Sequence, residues 1–287
     1  MGMVKTVGLV LHPRRDSKVA IDTIVKWAQA HDVTVYGLPE EVGRIDCSAV
    51  PVDAATLVER ADLLVSLGGD GTMLRTMRLI QGRPTPILGV NLGKLGFLAE
   101  IDVDELPPAL SAIDDHDYTV EPRMAVRASL PDGTTVNAFN DIALVRIPGA
   151  GLSAVSITVE GHPFVRYAAD AVIVATPTGS TAYSFSAGGP IVSPTVEGFL
   201  VVPAAAHSAF NRALVLSADE KVELDLLPTS GRLAVEVDGG VAAHLLPGDR
   251  LTVTSIRAAA WVVRLGTKSF YDRARRKLRV NGSAEVD

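Results

Sequence analysis

Near residue 118 the hydrophobic pattern of this 287-residue chain changes period, and the change limits what each part can become. Before it, buried-strand runs alternate with helical spacing. Residues 6–11 read as a strand ended by His12-Pro13, and Asp16 or Ser17 caps a helix with Ile21, Ile24, Val25 and Ala28 inward. Further strands are expected at 33–36, 63–65 and 87–91, with helices at 56–61 and 73–80. Such alternation specifies a mainly parallel sheet covered by helices. Beyond 118, short strands follow one another: a hairpin of 126–130 and 136–139, then 155–159, 164–167, 171–176, 222–226, 233–237, 251–254 and 261–265. The fold expected is therefore an N-terminal, mainly parallel α/β domain (1–103) followed by an all-β, sandwich-like C-terminal domain (118–267). The boundary is placed in 102–118, which holds Pro107-Pro108 and Asp114-Asp115-His116-Asp117. A basic tail, 268–287, is expected to form a helix that returns to the first domain.

Composition narrows the function classes. The formal charge is −6, so no global field attracts nucleic acid, and an anionic ligand must be held by local groups. One cysteine, Cys47, forbids an internal disulfide and is compatible with a reducing compartment. No apolar run reaches the ~18 residues of a membrane span. A cytoplasmic protein with no membrane partner is the expectation. His12, His31, His116, His162, His207 and His244 show no metal-ligand spacing with one another or with Cys47, so no protein-held metal is expected.

The first stretch able to carry chemistry is Ser66-Leu67-Gly68-Gly69-Asp70-Gly71-Thr72. It follows the apolar run Leu63-Leu64-Val65 and precedes helix formers, which sets Asp70 between glycines at the mouth of a strand-to-helix turn. Glycines let a backbone approach a ligand, and N–H groups at a helix start attract anions. By itself such a turn is more often only a turn. It matches neither the Walker loop nor the dinucleotide Gly-x-Gly-x-x-Gly pattern.

A second stretch runs from Asp170 through the apolar 171–175 to Thr176-Pro177-Thr178-Gly179-Ser180-Thr181-Ala182-Tyr183-Ser184-Phe185-Ser186. Small residues permit close contact, hydroxyls supply neutral donors and acceptors, and a tyrosine ring can cover a base. The competing account is a hydroxyl-rich loop that satisfies its own backbone. A third stretch, Asn140-Asp141 at the end of the hairpin, pairs an amide and a carboxylate able to grip ribose hydroxyls. In isolation it is more often a turn.

With these residues in view, the chain resembles the NAD kinases. Gly68 to Thr72 matches that family's acidic glycine loop, and Asn91-Leu92-Gly93-Lys94-Leu95-Gly96-Phe97-Leu98 matches the segment that follows it. Asn140-Asp141 stands where the family has Asn-Glu, and Thr176 to Tyr183 matches its most distinctive block. Pro203 with His207-Ser208, Val237-Asp238-Gly239, and Phe270-Tyr271 to Lys277-Leu278 also fit in order. The first loop is shared with diacylglycerol, sphingosine and 6-phosphofructokinase relatives. The Thr-Pro-Thr block is far more specific.

The resemblance implies transfer of the γ-phosphate of ATP, or a phosphate of polyphosphate, to the 2′-hydroxyl of the adenosine ribose of NAD or NADH. Asp70 is the implied general base, and Gly69, Gly71, Thr72 and Arg75 fall at nucleotide-contact positions. Asn140 and Asp141 would hold the adenosine portion and Asp170 the nicotinamide end. Thr181, Ala182, Tyr183, Ser184, Phe185 and Ser186 would line adenine and ribose. The implied cofactor is Mg²⁺ carried on the nucleotide phosphates, and the implied assembly a homodimer or homotetramer through the β domain. Three departures stand out. Asp141 is one methylene shorter than the usual glutamate. Ala168 replaces a basic side chain found in some members, which leaves no cation beside the nicotinamide and resembles members that accept NADH. Gly240 replaces a common glutamine. Two other functions stay open: a lipid or small-alcohol kinase sharing the first loop, and a nucleotide sensor without catalysis.

Overall fold

The computed structural model describes residues 4–45, 47–80, 82–93, 96–208, 210–266 and 268–280. Lys94 and Leu95 of the matched segment, and 281–287 of the basic tail, lie outside the described residues. The chain forms two compact units, one from Met1–Pro122 with Ala260–Asp287 and the other from Arg123–Ala259.

The first unit begins β1 (Thr6–Leu11), α1 (Lys18–Ala30), β2 (Thr34–Gly37), α2 (Pro39–Val42), β3 (Val50–Pro51), α3 (Ala54–Arg60) and β4 (Leu63–Gly68). It continues α4 (Asp70–Ile80), β5 (Pro86–Asn91), β6 (Ile101–Asp102) and α5 (Leu106–Asp114). Strands β5, β4, β1, β2 and β3 pair in that order, all parallel. On one face Ile21, Ile24 and Ala28 of α1 and Leu106, Ala109, Leu110 and Ile113 of α5 bury Val7, Leu9, Leu11, Val65 and Leu67. Every residue of β4 and β5 is buried, as expected of central parallel strands covered on both faces. The loop after β4 therefore starts from the most rigid part of the sheet.

In the second unit one antiparallel sheet joins β7 (Thr119–Ser129), β8 (Thr135–Ala138), β10 (Ala154–Val159), β11 (His162–Ala168), β15 (Val222–Leu226) and β18 (Arg250–Arg264). A six-stranded antiparallel sheet runs in the order β14 (Leu214–Ser217), β13 (Gly198–Ala204), β12 (Ala171–Ala175), β9 (Asp141–Arg146), β16 (Leu233–Val237), β17 (Gly240–Leu245). Val155, Ile157, Leu224 and Val253 of the first sheet share one core with Ile142, Leu144, Val172, Val174, Phe199 and Val235 of the second. Shared burial of two inner faces makes this unit a β-sandwich. Short helix α6 (Tyr183–Ser186) follows β12, and α7 (Phe270–Leu278) closes the described chain within the first unit.

The division falls elsewhere than the sequence suggested. Residues 102–118 are no linker: Pro107 opens the first turn of α5, where a missing N–H costs nothing, and α5 belongs to the first core. The strands expected at 251–254 and 261–265 are one strand, β18, along which the chain passes back to the first unit at Ala260. Asn140-Asp141 does follow the β7–β8 hairpin, and Asp141 begins β9. Strand β13 was not expected, since Pro203 argues against a strand. Its neighbour β14 pairs only with Gly198–Val201, so the proline removes no ladder bond on that side.

Helix α7 is capped by Ser269, whose hydroxyl accepts from Asp272 N (3.1 Å) while the Asp272 carboxylate accepts from Ser269 N (3.0 Å). Arg273 anchors it by donating to Glu100 (3.2 Å), a fully buried carboxylate that also accepts from Arg264 (2.6 Å) and Leu265 N (3.0 Å). A strongly basic helix is thus tied into the first unit at the buried carboxylate of Glu100.

Candidate active site

In the first unit a cavity of about 760 Å³ opens where β4 turns into α4. Gly69, Asp70, Gly71, Thr72 and Arg75 all line it, together with His12, Arg15, Arg78, Gly96 and Lys277. A Cβ on Gly69 or Gly71 would meet nothing within 4 Å, and neither residue has a positive φ. Protein packing and backbone conformation therefore demand neither glycine. Their backbone is left open at the start of an eleven-residue helix, where the helix dipole favours anions.

Asp70 is held firmly. Its carboxylate accepts from Phe97 N at both oxygens (3.0 Å each), from Leu98 N at Oδ1 (3.0 Å) and from Lys277 Nζ at Oδ2 (3.1 Å). A Cβ at Gly96 would overlap this carboxylate, so only glycine lets the 97–98 backbone come so close. The Lys277 ammonium also sits 4.5 Å from the centre of the Phe97 ring. Cations crowd the rim. His12 Nδ1 accepts from Arg14 N and Arg15 N, at 3.1 and 3.0 Å. Burial first, then the charges of Arg15, Arg44, Arg75 and Arg14, lower its pKa from the ordinary 6.5. A polyanion entering this cavity meets a positive field that the net charge of the chain conceals.

Arg75 is not a free arm. Its guanidinium donates to buried Glu41 and to the Leu11 carbonyl, while Glu41 accepts from Leu11 N at 2.6 Å. The position is therefore rigid as well as cavity-lining.

In the second unit the structure joins two stretches that are separate in sequence. Thr176 N donates to the Asn140 carbonyl at 2.9 Å, and its hydroxyl donates to the Phe139 carbonyl. Gly179 lies flat on Asn140, where any Cβ would run into the Asn140 backbone. The hydroxyl-rich stretch is thus pinned against Asn140-Asp141. Asp238, left-handed at φ 47° in the turn from β16 to β17, holds the other side of that backbone. Its carboxylate accepts from Phe139 N (3.3 Å), Asn140 N (2.7 Å) and Asp141 N (3.3 Å).

Asp141 itself is 4% exposed. Burial, then the charges of Asp238 and Glu236, raise its pKa from 3.8 to about 7. Tyr183, partly exposed on α6, has its pKa raised by burial and by Glu236, Asp141 and Asp170, which places the ring within this acidic group. Several hydroxyls of the stretch serve the fold. Ser180 Oγ donates to the Pro177 carbonyl (2.7 Å) and accepts from Val192 N (3.0 Å), whereas the Ser184 hydroxyl is buried without a partner among the described residues. Thr181 Oγ1 lies 3.4 Å from the Thr178 carbonyl, whereas Phe185 and Ser186 are exposed on α6 and Ala182 precedes it. Asp170 lines a cavity of about 350 Å³ with Arg146, Gly151, Leu152, Ala169 and His207. Arg146 on β9 pairs with Asp170 at 2.9 Å.

Gly96, Phe97 and Leu98 fall in a matched segment and Lys277 in the matched C-terminal stretch, but the sequence assigned none of them a role, and Glu41 lay in no motif. Nothing local marks a lysine two hundred residues from the acid it touches. Among the described residues no group of three or more His, Cys, Asp or Glu side chains could hold a metal ion. No helix among them is long and apolar enough to cross a membrane.

An open glycine loop with one fixed acid and a cationic rim defines a protein that handles phosphorylated ligands. Comparison with known proteins refines this. The model of the ATP-NAD kinase N-terminal domain matches residues 7–118 and that of the ATP-NAD kinase C-terminal domain matches 139–265. The NAD kinase of Moorella thermoacetica is 35% identical over 289 residues, spanning 99% of this chain and 92% of that protein. NAD kinase 1 of Streptomyces avermitilis is 36% identical over 313 residues, spanning 96% and 87%. Yeast NADH kinase complexed with NADH superposes with a TM-score of 0.86 at 27% identity, covering 100% of this chain and 91% of that one. An NAD kinase from Archaeoglobus fulgidus in complex with ATP gives 0.74 at 27% identity, covering 96% and 100%. This chain belongs to the ATP-NAD kinase family.

Proposed function

We propose that the chain transfers the γ-phosphate of ATP to the 2′-hydroxyl of the adenosine ribose of NAD, giving NADP and ADP. The observation that carries this is Asp70, fixed by main-chain N–H groups in an open glycine loop whose cavity is rimmed by cations. NADH is a second acceptor and polyphosphate a second donor in the same proposal.

In phosphoryl transfer the protein contributes chiefly alignment and charge neutralisation. The N–H groups at the start of α4 and the cations around them receive the polyphosphate. Asp70 orients the ribose hydroxyl and takes its proton as the new O–P bond forms and the bridging bond to ADP breaks. The donor set fits a cation that arrives on the nucleotide: Asp70 is the one carboxylate lining the cavity. Mg²⁺ so carried would neutralise charge on the transferring group. In the second unit Asn140, Asp141 and Tyr183 hold the adenosine portion, and Asp170 with Arg146 presents a charge-balanced pair to the nicotinamide end.

Incubation with ATP and Mg²⁺ plus either NAD or a diacylglycerol tests this. Product is expected from NAD alone, whereas phosphorylation of the lipid only would reassign the chain. Tight NAD binding without turnover, with either ATP or polyphosphate, would make it a sensor.

The raised pKa of Asp141 carries its own expectation. A carboxyl at about 7 when folded and near 3.8 when unfolded binds its proton preferentially in the native state. It contributes stability that is complete below pH ~4 and lost as pH rises through ~7. Asp141→Asn, which resembles the protonated form, is expected to unfold less readily than the parent at pH 8, by roughly 2–4 kcal/mol, and to lose the advantage near pH 4. Urea unfolding across that range reads it. Parallel pH profiles for the two proteins would show that folding leaves the Asp141 pKa where it stands in the unfolded chain.

A further inference from the structure

Among the cations lining the first cavity, Lys277 is set apart by its direct contact with the Asp70 carboxylate. At Asp70 Oδ2 an incoming hydroxyl would compete with Lys277 Nζ, since that oxygen already accepts from Lys277 as well as from Phe97 N. The Phe97 and Leu98 N–H groups are main chain and locked in place by the close approach at Gly96. Lys277 Nζ, 3.1 Å from Oδ2, is by contrast a donor on a flexible stem. Its ammonium lines the same cavity as Gly69, Gly71 and Thr72, where a polyphosphate would lie. Meanwhile Arg273, one turn earlier on α7, is tied to Glu100, so the helix stays put while the lysine stem can swing.

We infer that Lys277 is a phosphate-binding residue. With no nucleotide bound it neutralises Asp70, and when a nucleoside triphosphate enters, its ammonium moves to a phosphate oxygen and releases Oδ2 to the acceptor hydroxyl. The inference rests on the phosphotransfer reading above. An ammonium between one carboxylate and a triphosphate of higher charge favours the triphosphate, and the Phe97 ring face offers it a surface along the way. Donor binding and readiness of the base are then a single event.

The test compares Lys277→Met and Lys277→Arg with the parent in the full chain, by initial rates over ATP at saturating NAD, by calorimetric titration with ATP, and by thermal unfolding. Loss of a charge-assisted phosphate contact is expected to raise KM and Kd for ATP about 10–100-fold in Lys277→Met. The KM for NAD should stay within about twofold, and Lys277→Arg should recover most of the loss because it keeps the charge. Both variants should melt close to the parent, since the pair is a third exposed and contributes little to stability. Lys277→Met with unchanged ATP affinity would overturn the inference, as would Lys277→Arg as impaired as Lys277→Met. If the parent makes no NADP, the phosphotransfer reading fails, and the ATP titration still decides whether Lys277 meets the phosphates.

Discussion

Asp70→Asn is expected to lower NADP formation at least ~10²-fold while the protein stays folded, the lower end of what a positioned acid or base contributes. The substitution is nearly isosteric, so the turn between β4 and α4 keeps its shape. What changes is the chemistry. A carboxylate accepts at both oxygens, and here it receives Phe97 N, Leu98 N and Lys277 Nζ. An asparagine presents an NH2 group to one side of that set of donors and cannot take a proton from the ribose hydroxyl. The melting midpoint should move by only a few degrees, because Asp70 is one charged residue at a helix start, worth about 0.3–1 kcal/mol there. Near-normal NADP formation by a folded Asp70→Asn protein would remove this residue from the chemistry.

Glu100→Ala is expected to be the most destabilising change of those considered, by about 3–5 kcal/mol, as when one partner of a buried ion pair is removed. Glu100 has no exposed side-chain surface and receives Arg264 at 2.6 Å, Arg273 at 3.2 Å and Leu265 N at 3.0 Å. Arg264 retains Glu121 at 2.7 Å, so the loss falls hardest on α7. Urea unfolding measures the effect directly. Because Lys277 rides on α7, Glu100→Ala should also weaken ATP binding at temperatures where the fold survives. Stability within ~1 kcal/mol of the parent would mean that Glu100 is not the anchor described.

The two halves were legible to different depths. Alternating patterns in the first hundred residues located β1, α1 and β4 closely, because buried parallel strands and amphipathic helices each leave their own period in the sequence. Linkers and joins were harder. Pro107-Pro108 looks like a break but starts α5, and the weak alternation from Ser255 to Ala259 hid the continuity of β18. The acid and its glycines could be found from local sequence, since their chemistry is local. The groups that hold them could not: Lys277 reaches Asp70 only through the return of the chain, and Glu41 reaches Arg75 only through the packing of α2. Arg146 reaches Asp170 from the neighbouring strand, a pairing that no local pattern marks. For Asp141 the sequence showed a shorter acid; only the fold surrounds it with Asp238 and Glu236.

The central claim is best tested on the product. After incubation of the full chain with ATP, Mg²⁺ and NAD, phosphorus and proton NMR of the purified dinucleotide locate the new phosphate. It is expected on the 2′-oxygen of the adenosine ribose. A phosphate at any other oxygen, or ATP consumed with NAD recovered unchanged, would contradict the account.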